Sequence, residues 1–167
     1  LDPITDSIEK WIKDNYNLYG NLKISNKPNK DGLHEVNAEN VEVKNKNITS
    51  LTNGWFVWKN VKVSFMCNDC PNLESLNGAP KKVGKDFLCS YCTSLTSLEG
   101  APEQVGGDFD CHHCHKLESL DGAPEEVGGC FYCYNCSTLE SLEGAPENVG
   151  KDFSCATCSN LESLEGA

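Results

Sequence analysis

The sequence contains no arginine, and all fourteen basic residues are lysines, against twenty-five Asp and Glu. The charge is unevenly distributed. Residues 1–64 carry nine Lys and eight Asp or Glu (+1), whereas residues 65–167 carry five Lys and seventeen Asp or Glu (−12). Nucleic-acid binding requires a basic surface, usually with arginine, and anionic membranes attract basic segments. We therefore expect neither nucleic acid nor an anionic membrane surface as a partner.

Long hydrophobic runs are also missing, because no apolar stretch approaches the roughly eighteen residues that a membrane helix needs. No membrane insertion is therefore predicted for this segment. Charged residues make up 23% and hydrophobic residues 38% of the chain, which is typical of a soluble globular protein. The chain begins with Leu1 rather than Met and stops within a repeated pattern at Ala167, so we expect it to be a fragment.

What the sequence does contain is a unit of 22 residues that repeats through residues 65–167. Because a whole set of core positions recurs, and not only possible ligands, the pattern predicts a solenoid. Phe and the first Cys alternate with a period of two and should face inward from a short strand, while Gly-Ala-Pro and Val-Gly predict turns and an extended or irregular return segment. The columns are Phe65, Phe87, Phe109, Phe131 and Phe153; Cys67, Cys89, Cys111, Cys133 and Cys155; Cys70, Cys92, Cys114, Cys136 and Cys158; and Leu73, Leu95, Leu117, Leu139 and Leu161.

The paired cysteines allow three interpretations: a metal-binding array, a disulfide framework or a buried structural ladder. The spacing of Cys67, Cys70 and the next pair fits a zinc site. Stacked strands, however, lie roughly 4.7–4.9 Å apart, whereas thiolates on one zinc ion lie roughly 3.8 Å apart. Val43 occupies the first cysteine column in the preceding divergent coil, as expected for a core position. We favour the structural ladder, with no metal and no cofactor, in a reducing and therefore cytoplasmic compartment.

The stretch Val105-Gly-Gly-Asp-Phe109-Asp-Cys111-His-His-Cys114-His-Lys-Leu117 resembles the leucine-rich repeat segment L-x-x-L-x-L-x-x-N/C-x-L in its cysteine-containing variant. It has one extra residue before the last Leu, and Gly106 stands where the first Leu is expected. The short unit is similar to repeats of bacterial proteins, and the GAPxxVGG phrase to repeats of phage proteins. The resemblance implies a right-handed leucine-rich-repeat solenoid of the α/β horseshoe class, with short parallel strands and an irregular convex side. It also implies that Cys114 bonds backbone groups at the bend.

The N-terminal part is predicted to cap the solenoid, because a first coil otherwise exposes an apolar end and an unpaired edge. Apolar residues at helical spacing predict a helix over residues 3–18, opened by Pro3 or by the Asp6–Glu9 capping box and ended by Gly20. Two strands, 22–24 and 33–36, should flank the turn at 26–32, and the three Trp residues should form capping core. The predicted units are a cap at 1–40, a divergent first repeat at 41–64 and five repeats at 65–167, the last truncated.

No convincing catalytic set is present in the sequence. His112 and His113 lie beside Cys111 and Cys114, but the cysteines should be buried while the histidines point to the opposite side of the strand. No glycine-rich phosphate loop stands between a strand and a helix. We therefore predict a protein without enzymatic activity and without catalytic residues.

Binding is predicted at the outward positions of the strands, which differ from one repeat to the next. Tyrosine is common at interfaces because it combines apolar area with a polar tip. We predict a protein-interaction module that binds a protein partner through the concave face. The alternatives are a metal-binding CxxC array and an assembly element that stacks end to end through its C-terminal coil, where no cap is visible. The candidate contact residues are Tyr91, Asp108, Asp110, His112, His113, Tyr132, Tyr134 and Asn135.

Cys130 is the one cysteine outside the two columns. It interrupts a column of aspartates formed by Asp86, Asp108 and Asp152. Because it directly precedes Phe131, which faces inward, its side chain is predicted to face solvent. We interpret it as a chance substitution, with a reactive or intermolecular thiol as the alternative.

Overall fold

The computed structural model describes residues 2–166, and its first element is helix α1 at Pro3–Asn15. Asp2 caps this helix, because its side chain accepts the N–H of Ile4 at 3.2 Å, and Pro3 occupies the first turn, where its missing N–H costs nothing. Of the two starting points that the sequence left open, the one at Pro3 is therefore correct.

The predicted end of this helix, near residue 18, is wrong. The helix stops at Asn15 because Tyr16 begins strand β1 (Tyr16–Ile24), which pairs antiparallel with β2 (His34–Val43). The predicted hairpin is present, and its strands extend well beyond the predicted ranges. Strand β1 thus covers the edge of β2 that the solenoid ladders do not use. Helix α1 buries Ile8 and Ile12 in the same core.

The other edge of β2 carries the first coil of the solenoid. Strand β3 (Phe56–Val61) pairs in parallel with residues 34–38, and β4 (Phe65–Met66) pairs in parallel with residues 41–42. Every later coil adds one two-residue strand to each of these two parallel ladders. Those following β3 are β5 (Lys82–Val83), β7 (Gln104–Val105), β9 (Glu126–Val127) and β11 (Asn148–Val149); those following β4 are β6 (Phe87–Leu88), β8 (Phe109–Asp110), β10 (Phe131–Tyr132) and β12 (Phe153–Ser154).

These ladders make the chain a parallel β-solenoid of about six turns with one N-terminal helix, which confirms the predicted solenoid at this level. Residues 65–166 contain no helix, as the Gly-Ala-Pro and Val-Gly turns predict. The register pairs Val41 with Phe65, so Val43 falls in the first cysteine column as predicted. No helix within residues 2–166 is long and apolar enough to cross a membrane.

One continuous core runs along the solenoid axis and is built from the Phe, Cys and Leu columns. The phenylalanine rings of successive coils stack with centroids 5.1–5.5 Å apart and interplanar angles of 7–20°. Each such aromatic pair contributes about 0.5–1.5 kcal/mol beyond the burial of its area. At the N-terminal end Trp58 contacts Phe65 and Trp11 contacts Phe56, both edge-on, so these two residues form the predicted aromatic capping core. The prediction is wrong for Trp55, which is 53% exposed.

Candidate functional site

The outward side chains between the buried Phe and Cys positions form one aromatic surface, which we call the aromatic patch (Tyr91, His112, His113, Tyr132 and Tyr134). Two pairs from neighbouring coils stack nearly parallel: Tyr91 on His113, with centroids 4.5 Å apart and 15° between planes, and His112 on Tyr134, at 4.5 Å and 10°. The structure therefore brings together the predicted aromatic residues of three coils.

Edge-to-face contacts join the two stacks into a single cluster. His112 lies 5.0 Å from His113 and 5.2 Å from Tyr91 between ring centroids, and Tyr132 lies 6.1 Å from Tyr134. His115 adds a contact that the sequence-based list omitted, with its ring 5.7 Å from that of His113. The available signal was its place as the third histidine of one coil, two positions beyond His113.

Two residues of the patch, Tyr91 and His113, have a left-handed backbone conformation. One residue per coil has a positive φ of 56–58° although none is glycine: Asp69, Tyr91, His113, Asn135 and Thr157. A second position in each coil also has a positive φ, of 83–90°, and there the residue is always glycine: Gly78, Gly100, Gly122, Gly144 and Gly166. The left-handed conformation costs an ordinary residue roughly 1–2 kcal/mol, and Asn or Asp somewhat less. Asp, Asn and His occur at positive φ more often than other residues, so the strain in the first column falls mainly on Tyr91 and Thr157, where glycine would fit with less strain.

Carboxylates surround the patch. Asp110 accepts the backbone N–H of His112 at 3.0 Å and also bonds Nδ1 of that ring. Asp108 accepts the N–H of Cys130 at 2.7 Å. A hydrogen bond with the Cys130 thiol raises the pKa of Tyr132 to about 12, and the charges of Asp108 and Asp152 add to this rise. The field at Tyr132 is therefore negative.

His113 and Asn135, both predicted contact residues, are joined by a hydrogen bond. Asn135 Oδ1 accepts the Thr157 hydroxyl, so its Nδ2 is the donor to His113 Nε2 at 3.0 Å. The ring proton of His113 is then on Nδ1, which is the one buried side-chain N or O atom without a partner within residues 2–166. Desolvation, followed by the neighbouring His112 and His115, lowers the pKa of His113. The ring is thus held neutral with one buried donor unsatisfied.

The thiols of the second cysteine column donate across coils to backbone carbonyls of the first column. Cys92 Sγ lies 3.1 Å from the carbonyl oxygen of Cys67, and Cys114 Sγ lies 3.3 Å from that of Cys89. The same bond recurs at Cys136 and Cys158. The predicted backbone bond of Cys114 is therefore confirmed.

Burial raises the pKa of the Cys114 thiol to about 12, so the thiol stays protonated near neutral pH. The pKa values of Cys67 and Cys89 are raised for the same reason. Metal ions bind thiolates, which burial disfavours at Cys67, Cys89 and Cys114. Hydrogen bonds with the Cys92 and Cys111 thiols act in the opposite direction and lower the pKa values of Cys70 and Cys136. Within residues 2–166 no three His, Cys, Asp or Glu side chains are grouped so that they could hold a metal ion.

The predicted exposure of Cys130 is wrong, because this residue is only 7% exposed. Its thiol is a hydrogen-bonding neighbour of the Tyr132 phenol, which belongs to the residue two positions along the chain. The neighbouring aspartates of the same column are less buried. We attribute the difference to the phenol of Tyr132, which stands on the same side of the strand as Cys130 and reaches its thiol.

A groove of about 740 Å³ lies elsewhere, along the Val-Gly corner of the coils. Its floor includes Val83, Val105, Gly84 and Gly106. The glycines are required because a Cβ atom on Gly106 would overlap the carbonyl oxygen of Gly84 in the coil before it. Close stacking of the backbone therefore accounts for this groove without a ligand.

In comparisons with known proteins, no family model, no curated protein and no solved structure matches the chain.

Proposed function

We propose that the chain is a non-enzymatic protein-interaction module that binds a protein partner through the aromatic patch. The observation that carries this proposal is the left-handed column. Tyr91 and His113 stand in a conformation that favours glycine, while the second left-handed column of the same coils contains only glycine. Strained backbone positions that retain bulky side chains are typical of functional surfaces.

The composition of the patch suits a protein partner. Tyrosine brings a large and rigid contact area at a low cost in conformational entropy. The rings are already fixed by stacking between coils, as Tyr91 is on His113, so little order has to be gained on binding. Asp108, Asp110 and Asn135 supply hydrogen-bonding groups beside the rings. Such an apolar centre with polar groups around it is the usual anatomy of an interface.

The unsatisfied nitrogen of His113 supports the same proposal. Buried polar groups in native proteins almost always have a partner, because leaving one unsatisfied is costly. Within residues 2–166 the exception occurs inside the patch. Departures from the ordinary rules of packing tend to concentrate at functional surfaces.

We further propose that the solenoid belongs to the leucine-rich repeat class, in its short cysteine-containing form. This rests on the repeated segment from Val105 to Leu117 and on the Cys114 thiol, which bonds the backbone in the manner that the resemblance implies. The alternative function, a metal-binding CxxC array, has less support because each second-column thiol is already a donor to a carbonyl.

A selection from a displayed random-peptide library tests the proposed binding surface. Selected peptides are scored against the wild-type chain, a Tyr91→Ala/Tyr134→Ala variant and a Tyr19→Ala control. Tyr19 is an exposed tyrosine on β1, outside the patch. We expect most selected peptides to lose binding to the patch variant and to keep binding to the control. Thermal unfolding curves establish that both variants are folded. If the selected peptides bind all three proteins equally, the patch is not the binding surface.

A further inference from the structure

The charges around Tyr132 indicate the chemistry of the partner that the patch accepts. The strand register places Asp110 directly beside Tyr132 on β8, and Ser154 beside it on β12. Neighbouring parallel strands lie about 4.8 Å apart, so the Cβ atom of Asp110 lies beside that of Tyr132, while its carboxylate bonds His112. Asp108 and Asp152 are close enough to act on the ionisation of the same phenol. The register that pairs Phe131 with Phe109 and Phe153 places Asp108 and Asp152 on either side of Cys130, so two carboxylates flank the strand that carries Tyr132.

No lysine neutralises these carboxylates within the part of the chain that the structure describes. The four lysine ion pairs of residues 2–166 lie on α1, between β2 and β3, and on the return segments. The one charged contact at the patch joins Asp110 and His112. The His112 ring carries a positive charge only when it is protonated. The patch therefore combines aromatic rings with uncompensated negative charge.

We infer that the partner places a cationic side chain, arginine or lysine, on the Tyr132 ring, beside the carboxylates of Asp108 and Asp152. This inference rests on the proposed function, since it names the partner chemistry of the same surface. A guanidinium or ammonium group is attracted to the face of a tyrosine ring and forms charge-assisted hydrogen bonds with carboxylates. Arginine fits better than lysine because its planar group can stack on the ring and bond a carboxylate with two N–H groups.

The other charges of the chain favour the same partner. Residues 65–167 carry −12, so a basic segment is attracted towards the solenoid before contact, and an acidic one is repelled. That long-range attraction alone would place a basic segment anywhere on the solenoid. The aromatic rings restrict it to the patch, since the acidic turns of the coils offer no comparable rings.

The test compares two variants with the same change in net charge. Asp108→Asn/Asp152→Asn neutralises the two carboxylates beside Tyr132. The asparagine at position 108 keeps an oxygen that can accept the Cys130 N–H. Asp121→Asn/Glu143→Gln neutralises two exposed carboxylates on the turns. The ligand is the peptide with the strongest patch-dependent binding in the library selection, together with a copy in which citrulline replaces each arginine and acetyl-lysine replaces each lysine.

We expect the selected peptides to be enriched in arginine or lysine. Asp108→Asn/Asp152→Asn should weaken binding of the selected peptide by about tenfold to a hundredfold, as expected for the loss of a charge-assisted hydrogen bond. The turn variant should change it by less than about twofold, because exposed distant charges are screened. The copy with citrulline and acetyl-lysine should bind the wild-type chain as weakly as the intact peptide binds Asp108→Asn/Asp152→Asn.

Two results overturn the inference, and they are distinguishable. If patch-dependent peptides lack basic residues, or if the two charge variants bind equally well, the inference is wrong while the proposed function stands. If no selected peptide depends on Tyr91 and Tyr134, the proposed function fails and the inference fails with it.

Discussion

The carboxylate of Asp86 reaches across to the next coil and leaves no room for a side chain at Gly107. Asp86 Oδ1 accepts the backbone N–H of Asp108 at 2.8 Å, and a Cβ atom on Gly107 would overlap that oxygen. The relationship recurs one coil later. Asp108 Oδ1 accepts the N–H of Cys130 at 2.7 Å, and a Cβ atom on Gly129 would overlap it.

Where a shorter side chain replaces the aspartate, the glycine is replaced as well. Ser64 is followed one coil later by Lys85, and Cys130 is followed by Lys151. Ser64 Oγ still accepts an N–H, that of Asp86, but at the longer distance of 3.3 Å. The two positions therefore depend on each other, and an aspartate in one coil requires glycine in the next.

Gly107→Ala should lower the free energy of unfolding by about 1–3 kcal/mol, as overpacking in a well-filled site does. Lys85→Ala is the matched control, since it changes the same column behind Ser64, and it should alter stability by less than about 0.5 kcal/mol. Urea unfolding followed by circular dichroism measures both. Adding Asp86→Ser to Gly107→Ala should recover part of the loss, and the absence of any recovery would show that the Asp86 carboxylate is not the obstacle.

The same dependence should appear in reverse at Cys130. Cys130→Asn adds an acceptor for the Asp152 N–H without adding a charge, but its side chain meets the Cβ atom of Lys151. We expect Cys130→Asn alone to leave the free energy of unfolding unchanged or to lower it. For Cys130→Asn/Lys151→Gly this free energy should be about 1 kcal/mol higher than the sum of the two single effects predicts. A double-mutant cycle in urea measures this coupling, and strictly additive changes would contradict it.

Much of the fold was predictable because the repeat keeps the same residue type at each core position. The first four phenylalanines of the repeat column are buried as predicted, and so are the first four cysteine pairs and the leucines that follow them. The boundary between α1 and β1 was not predictable. Tyr16 continues the helical spacing of Ile8 and Ile12, and only its pairing with Val43 assigns it to a strand. Tertiary pairing here overrides local periodicity.

The candidate site was predictable as a set of columns, but not as a geometry. Residues 22 apart had to be neighbours, so Tyr91, His113 and Asn135 were expected to line up. Nothing in Tyr91 signals a positive φ, however, because glycine is the usual residue there and tyrosine is rarely found in that conformation. Which ring stacks on which, and the burial of Cys130 by Tyr132, depend on side-chain conformations that a periodic pattern does not specify.

The left-handed backbone at Tyr91 gives an unusual order of stability. Tyr91→Ala and Tyr91→Gly both lose the stacking on His113, but only Ala retains the strain of a positive φ. We expect the Gly variant to be more stable than the Ala variant by about 0.5–1 kcal/mol, the strain relief being partly offset by the flexibility of glycine in the unfolded chain. At Tyr19, in strand β1, the order should reverse. An Ala variant at position 91 that is as stable as the Gly variant would argue against strain there.

The cysteine ladder should be chemically silent in the folded chain. Cys155 is partly exposed, so it should react first with a thiol reagent, while the other ten cysteines are buried and should require denaturant. Labelling time courses with mass spectrometry identify the order. Elemental analysis of protein purified under reducing conditions without added metal should find no stoichiometric metal. A metal content of one atom per two CxxC pairs, released only on unfolding, would overturn the structural interpretation.

The folded chain should lose stability at mildly acid pH through His113. Folding lowers the pKa of this ring, so below its ordinary value of about 6.5 the unfolded chain binds the proton more readily than the folded one. Stability should therefore fall as pH drops from 7.5 to 5.0. Protonation also disrupts the bond that Asn135 donates to Nε2.

His113→Asn isolates this contribution, because asparagine tolerates a positive φ and does not titrate. The remaining histidines and carboxylates are common to both proteins, so their effects cancel in the comparison. Urea unfolding at pH 7.5, 6.5, 5.5 and 5.0 should show a smaller loss of stability for the variant than for the wild-type chain. Parallel pH profiles for the two proteins would mean that His113 titrates alike in the folded and unfolded states, and that its buried nitrogen places no constraint on protonation.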